Sequence, residues 1–126
     1  MQKTFLVVFF SLLMGFSAQA QVFVNGVNIN DEDIAYCQII GFNRIGLLNP
    51  ARIWIDYGQP KFVVNPFNVP VISGPDRQKI NFNSVIDALN FMMRNGWELV
   101  SSHVASDKDG DADTFVYLLR KRQTDR

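Results

Sequence analysis

The sequence predicts an α+β domain in which one helix packs on one face of an antiparallel sheet of about four strands. The predicted order is strand, strand, helix, strand, strand. Two observations predict it. Residues 84–94 repeat apolar side chains at helical spacing, and the segments before and after are rich in β-branched and aromatic residues with short connections between them. Because helices and hairpins of this kind segregate, the helix is expected to cover a single sheet face.

The first twenty residues have the pattern of a signal peptide. A basic start and an apolar run precede Ala18-Gln19-Ala20, which is a small-residue exit. The apolar run is shorter than the roughly 20 residues that span a bilayer, and no later segment approaches that length. We therefore expect cleavage after Ala20 and export to the periplasm or the outside of the cell. Residues 21–126 are predicted to form one domain with no membrane span.

Composition argues against several classes of protein. The chain carries 12 basic and 12 acidic side chains, so no excess of charge favours nucleic acid or an acidic membrane as a partner. Cys37 is the only cysteine, which rules out an internal disulfide. Its place inside the apolar segment AYCQIIGF is typical of a small buried side chain. One cysteine and one histidine cannot complete a closed zinc site, so no metal and no cofactor is expected.

The first half of the chain predicts paired strands. Asn25-Gly26 lies between apolar residues and indicates an extra N-terminal hairpin with short arms. Residues 34–42 and 52–58 (IAYCQIIGF and RIWIDYG) predict a second hairpin. Four prolines in residues 58–79 exclude a helix there and disfavour a central strand, so the structure of this segment stays open. KFVV, residues 61–64, is a candidate edge strand.

The last third of the chain predicts the helix and a closing hairpin. Ser84 and Asp87 form a capping pair, the apolar repeat runs to Arg94, and Gly96 supplies the left-handed position that ends a helix. WELVSSHVAS and TFVYLLRKR then predict two strands. On strict alternation, the sheet face that the helix leaves uncovered carries four apolar residues: Val100, Val104, Val116 and Leu118. The proline-rich segment, the N-terminal segment or a second copy of the chain is expected to cover that face.

The connection between these two strands is rich in aspartate. An EF-hand calcium loop needs acidic ligands at positions 1, 3 and 5, glycine at 6 and glutamate at 12. In DKDGDADTF, residues 107–115, glycine stands at position 4, and the twelfth position from the first aspartate is leucine. The pattern therefore predicts a solvated hairpin turn. Weak calcium binding by Asp107, Asp109, Asp111 and Asp113 is the alternative that stays open.

One resemblance to a known family rests on DALNFMMRNGWELVSS and TFVYLLRKR, with the strand Ile55-Asp56-Tyr57-Gly58 ahead of the helix. These segments resemble small exported bacterial proteins of the domain-of-unknown-function family numbered 4177. The resemblance covers roughly the last forty residues. It implies a compact ββαββ domain. It implies no activity and no functional residues, because the family it resembles has none assigned.

Two functions of different class are compatible with the sequence. The first is a non-catalytic binding or assembly module of the cell envelope, whose partner is a second copy of the chain or an envelope protein, a peptide or a glycan. It would use the sheet face or the aromatic residues Trp54, Tyr57, Phe62 and Phe67.

The second is a small hydrolase-type enzyme. It would use Cys37 and His103 as nucleophile and base, or Asp56 and Glu98 as an acidic pair. No nucleophile turn surrounds Cys37, and two carboxylates among 12 acidic residues are weak evidence. We therefore assign no catalytic residue and favour the binding module.

Overall fold

A computed structural model describes residues 19–42, 49–106 and 113–123. The predicted aspartate turn at Asp107, Asp109 and Asp111 lies outside the described residues, as does most of the predicted signal peptide. The elements follow in the order β1 (Phe23–Val24), β2 (Val27–Asn28), β3 (Tyr36–Phe42), β4 (Arg52–Asp56), β5 (Ile72–Ser73), α1 (Val85–Arg94), β6 (Trp97–Ser106) and β7 (Asp113–Lys121).

The strands form two antiparallel sheets. The larger has four strands in the order β4-β3-β7-β6, and the smaller has three in the order β2-β1-β5. The predicted α+β class, with one helix between two pairs of strands, is confirmed. No helix in the described part of the chain is long and apolar enough to cross a membrane.

The helix begins and ends where its capping residues predict. Ser84 Oγ accepts a hydrogen bond from Asp87 N at 3.1 Å, and Asp87 Oδ2 accepts one from Asn83 N at 2.9 Å. The first bond satisfies a backbone donor that the first turn of a helix leaves free, and the second holds Asn83, the residue before the cap, against that turn. At the other end, Gly96 has a φ of +91°, which a glycine adopts without steric penalty.

The buried core lies between α1, the small sheet and one face of the four-stranded sheet. We call this face of the four-stranded sheet the helix side and the opposite face the distal face. Strands β3, β4, β6 and β7 contribute seven buried core residues, all on the helix side: Cys37, Ile39, Ile53, Ile55, Trp97, Tyr117 and Leu119. Gly41 lets the helix approach closely, because a Cβ there would lie 2.7 Å from Val85 Cγ2.

The predicted N-terminal hairpin is confirmed and is part of the small sheet. Asn25 and Gly26 both have positive φ, 48° and 83°, as a two-residue turn between β1 and β2 requires. The third strand is β5, which lies inside the proline-rich segment. Asn25 connects the two segments, because its backbone N donates to Val71 O at 2.8 Å and its Oδ1 accepts from Val71 N at 2.9 Å.

The candidate edge strand KFVV does not form. Lys61 has a φ of 58°, and no residue of 61–64 belongs to a strand. The proline-rich segment instead contributes Ile72 and Ser73, which pair with Val24 and Phe23. Apolar residues are therefore not sufficient to form a strand here, because a strand also needs a free edge to pair with, and β1 offers one.

A bulge in β6 changes the predicted faces of that strand. Leu99 lies opposite Leu119, but Ser101 lies opposite Leu118, so Val100 is an extra residue without a partner of its own. Because one extra residue moves every later side chain to the other face, Val104 lies on the helix side, opposite Phe115. The predicted distal set is therefore wrong for Val104, and Val100 is the bulged residue itself.

Candidate functional site

The two residues of the predicted thiol site lie on opposite faces of the sheet. Cys37 is buried on the helix side, opposite Leu119. His103 is exposed on the distal face, opposite Val116. The sheet lies between the thiol and the imidazole, so the imidazole cannot take the thiol proton directly.

Burial also makes the thiol chemically inert. Desolvation, with a smaller contribution from the charge of Asp56, raises the pKa of Cys37 from 9.0 to about 12. Because the thiolate is the nucleophile, a thiol with this pKa is almost entirely protonated at neutral pH. Cys37 therefore belongs to the core, as its apolar surroundings in the sequence predict.

The two candidate carboxylates share the distal face but lie on opposite edge strands. Asp56 is on β4 and Glu98 is on β6, with β3 and β7 between them. Three strand spacings separate them by at least about 14 Å, whereas the paired carboxylates of glycosidases lie roughly 5–9.5 Å apart. Each also has a local partner. Arg120 donates to Glu98 Oε1 from Nε at 2.8 Å and from Nη2 at 2.6 Å, and Gly58 N donates to Asp56 Oδ1 at 3.0 Å.

Metal ligands do not gather in the described part of the chain. No group of three or more histidine, cysteine, aspartate or glutamate side chains is close enough there to hold a metal ion. Of the four aspartates in the hairpin turn, only Asp113 is described, and its Oδ1 accepts a hydrogen bond from Ser106 Oγ at 2.8 Å. Weak calcium binding at this turn stays a prediction.

The distal face is apolar at its centre and lies outside the core. Gln38, Ile40 and Phe42 of β3 and Val116 and Leu118 of β7 are all half-buried there. None of these side chains belongs to the core cluster. The distal face thus combines apolar character with access to solvent, which is unusual for the central strands of a sheet.

Trp54 adjoins these residues on β4, opposite Ile40. Its side chain is only 2 % exposed, and Phe42 packs edge-on against it with ring centroids 5.5 Å apart. Within the described residues, Trp54 Nε1 is a buried donor without an acceptor. Buried donors normally find one, since leaving one unpaired costs about 1–3 kcal/mol.

The segments that were expected to cover the distal face contribute buried residues to the helix-side core. Val22, Val24 and Ile29 of the N-terminal segment are buried in the helix-side core. The proline-rich segment contributes Ile72 to the same core. Its apolar residue Phe67 is instead 97 % exposed. Neither segment, as far as it is described, joins the distal face to the core.

The four aromatic candidates do not form one site. Trp54 is buried on the distal face, Tyr57 packs against the helix-side core, and Phe62 is half-buried. Phe67 stands alone on a turn in which Asn65 Oδ1 accepts a hydrogen bond from Phe67 N at 2.9 Å.

The residues that sequence reasoning missed are Ile40 and Phe42. The signal for them was the apolar character of both alternating sets of side chains in β3.

A shallow cavity of about 140 Å³ lies between the small sheet and the start of β4. Its lining includes Arg52, Pro70, Lys79 and Phe82. Sites for drug-sized ligands usually measure about 300–1,000 Å³, so this cavity suits only a few water molecules or a very small ligand. The distal face is therefore the stronger candidate site.

Comparison with protein-family models, with curated proteins and with solved structures finds no match for this chain. The resemblance to the domain-of-unknown-function family numbered 4177 stays a prediction.

Proposed function

We propose that this chain is a non-catalytic binding or assembly module of the cell envelope and that it acts through the distal face. The observation that carries the proposal is the apolar centre of that face, which the described chain leaves outside its own core. A monomeric protein rarely leaves a contiguous apolar surface in contact with water unless it serves an interaction.

The chemistry of the face favours a protein or peptide partner. Ile40, Val116 and Leu118 offer aliphatic surface at the centre, and Arg120 and Glu98 offer charged groups near the β6 edge. An apolar centre with a polar rim is the usual anatomy of a protein interface. For a glycan the face offers less, because Trp54 is buried and the accessible aromatic ring is that of Tyr36, at the end of β3 opposite Arg120.

The location in the envelope depends on residues 1–20. Their signal-like pattern supports export, and an exported module with no disulfide depends on packing alone for its stability. Processing at Ala20 is expected to leave a mature N-terminus at Gln21. Mass spectrometry of the protein recovered from the periplasm or medium tests this, and a mature N-terminus at Met1 would contradict it.

The proposed binding role is tested by retention from an envelope extract. Purified residues 21–126 are immobilised as wild type, Leu118→Glu and Val63→Glu. Leu118 lies on the distal face, whereas Val63 is 68 % exposed in the proline-rich segment, so the second variant carries the same charge elsewhere. We expect wild type and Val63→Glu to retain the same envelope component and Leu118→Glu to lose it.

Circular dichroism of each variant checks the fold, and Val116→Glu repeats the test at a second position on the face. Equal retention by folded distal-face variants and wild type would refute a binding role for this face.

A further inference from the structure

The two edges of the four-stranded sheet are protected very differently. At β4, which has five residues, neighbouring groups occupy the backbone at both ends. Gln59 Nε2 donates to Ile55 O and Tyr57 N donates to Gln59 Oε1, both at 2.8 Å, and Ala51 N donates to Phe82 O at 2.9 Å. A short edge strand closed in this way offers little backbone for another strand to bind.

The β6 edge is long and has almost no such protection. β6 has ten residues, and from Leu99 to Ser106 all are exposed. This stretch contains no proline, lysine, arginine or acidic residue to block the edge, and the bulge at Val100 interrupts it only near its start. In the part of the chain that the structure describes, β7 alone makes backbone hydrogen bonds with it. A row of backbone donors and acceptors is therefore free to pair.

Apolar side chains are concentrated on the same edge. Leu99, Val100 and Val104 are 41 %, 47 % and 51 % exposed, and all three belong to β6. Pairing with another strand would bury these side chains as well as the backbone. A strand that pairs with β6 must therefore present apolar side chains that alternate with small polar ones.

The sequence of β6 meets that requirement itself. Val100-Ser101-Ser102-His103-Val104 is nearly the same read in either direction. In an antiparallel pair of two β6 strands centred on Ser102, each Val100 would lie opposite Val104 of the second copy, and each Ser101 opposite His103. Ser102 and Val104 would lie on the helix side, and no like charges would oppose each other. Centring on His103 would instead place the two imidazoles face to face.

We propose that β6 pairs antiparallel with β6 of a second copy about a two-fold axis through Ser102. The pair joins two four-stranded sheets into one of eight strands. This edge is separate from the centre of the distal face, so the inference goes beyond the binding role proposed above. An edge-to-edge contact buries less than about 1,200 Å², and the dimer is therefore expected at protein concentrations of roughly 0.01–1 mM.

The register is tested by disulfide trapping in the folded protein. In the proposed register, Ser102→Cys places the thiols of the two copies side by side on the two-fold axis. Ser106→Cys places the two thiols about 27 Å apart. Both are exposed serines of β6, and the native Cys37 is buried and does not compete. Under mild oxidation at about 0.1 mM protein, we expect Ser102→Cys to form a covalent dimer at least tenfold faster than Ser106→Cys. Equal rates would overturn the proposed pairing.

Analytical ultracentrifugation tests the interface without a cross-link. Wild type is expected to dimerise as its concentration rises, and Val104→Lys, which adds a charge at the edge, is expected to stay monomeric. Val63→Lys is the control and is expected to behave as wild type. A wild type that stays monomeric at about 1 mM would overturn the proposal.

The partner class is tested separately. A monomeric wild type that binds an extended peptide, and loses it on Val104→Lys, would assign the edge to a different partner and likewise overturn the homodimer. Neither result depends on whether the Leu118→Glu variant retains an envelope component. The distal-face role and the β6 pairing can therefore fail independently.

Discussion

The two faces of the four-stranded sheet are built from similar apolar residues but end in different states. The tryptophans show the difference. Trp97, on the helix side, is fully buried, its Nε1 donates to Asn30 Oδ1 at 3.4 Å, and Lys121 Nζ lies 5.6 Å from its ring centroid. Trp54, on the distal face, is buried against Phe42, but its Nε1 has no acceptor within the described residues.

The difference shows that composition does not decide which face of a sheet becomes the core. Three separate parts of the chain pack against the helix side, namely α1, the N-terminal segment with β1 and β2, and the proline-rich segment with β5. They satisfy polar groups there as well as covering apolar ones. Among the described residues, the apolar side chains of the distal face stay outside this core cluster. Four measurements test this contrast.

The largest effect is expected from two adjacent leucines of β7. Leu119 is fully buried on the helix side, and Leu118 is half-buried on the distal face. Leu119→Ala should lower the free energy of unfolding by about 2–5 kcal/mol, because it opens a cavity in the core. Leu118→Ala, the matched control, should lower it by about 1 kcal/mol or less, because solvent already reaches that site. Urea denaturation measures both, and equal losses would show that the distal face is also core.

A somewhat smaller effect is expected at the contact between Gly41 and the helix. A Cβ at residue 41 would lie 2.7 Å from Val85 Cγ2, so Gly41→Ala should destabilise the fold by about 1–3 kcal/mol. In the double variant with Val85→Ala, the free energy of unfolding should fall by less than the sum of the two single losses, since the second change removes the clashing methyl groups. Additive losses in the double variant would contradict a direct clash.

The buried thiol gives the third prediction, a loss of stability in alkali. Burial raises the pKa of Cys37 to about 12 in the folded protein, against 9.0 when it is exposed. The folded state therefore keeps the proton more tightly, and unfolding releases it once the pH exceeds 9. Stability from this group is complete below pH 9 and declines between pH 9 and 12, by about 1.4 kcal/mol per pH unit at most.

Thermal unfolding between pH 8 and 10.5 measures this decline. Cys37→Ala is the matched control and should show a shallower decline, because only the other alkaline groups remain. Identical slopes would mean that the thiol is not desolvated in the folded protein.

The smallest effect is expected at the ion pair of Glu98 and Arg120, which is exposed to solvent on the distal face. Glu98→Gln keeps the size of the side chain and removes its charge. Because water and salt screen such pairs, the melting temperature should change less than with Leu118→Ala. A larger change would mean that the distal face contributes to folding through its charges, which the contrast between the faces does not predict.

Local signals in the sequence predicted the helix and both of its ends, since Ser84, Asp87 and Gly96 act within a few residues of themselves. The turn at Asn25-Gly26 was predictable for the same reason. The bulge at Val100 was not, because nothing in WELVSSHVAS distinguishes an extra residue from a paired one. β5 was missed because its pairing depends on β1, which lies far away in the sequence.

At the candidate site, too, local features were predictable from the sequence and long-range ones were not. The burial of Cys37 was predictable from its apolar neighbours, and Val116 and Leu118 were placed correctly on the uncovered face. The position of His103 was not, because the bulge moved it to the face opposite Cys37. Which segment covers which face is a long-range question, and alternation along one strand carries no information on it.

The position of β7 has a consequence for how the chain reaches this structure. β7 is the last strand in the described sequence, yet it lies inside the sheet between β3 and β6, with Arg120 opposite Tyr36. The sheet therefore cannot close until nearly all of the chain is available. Pairing between such distant segments folds slowly, so the polypeptide should stay unfolded while it is being synthesised. Unfolded chains are the form that passes through a translocation channel, so late closure is compatible with the proposed export.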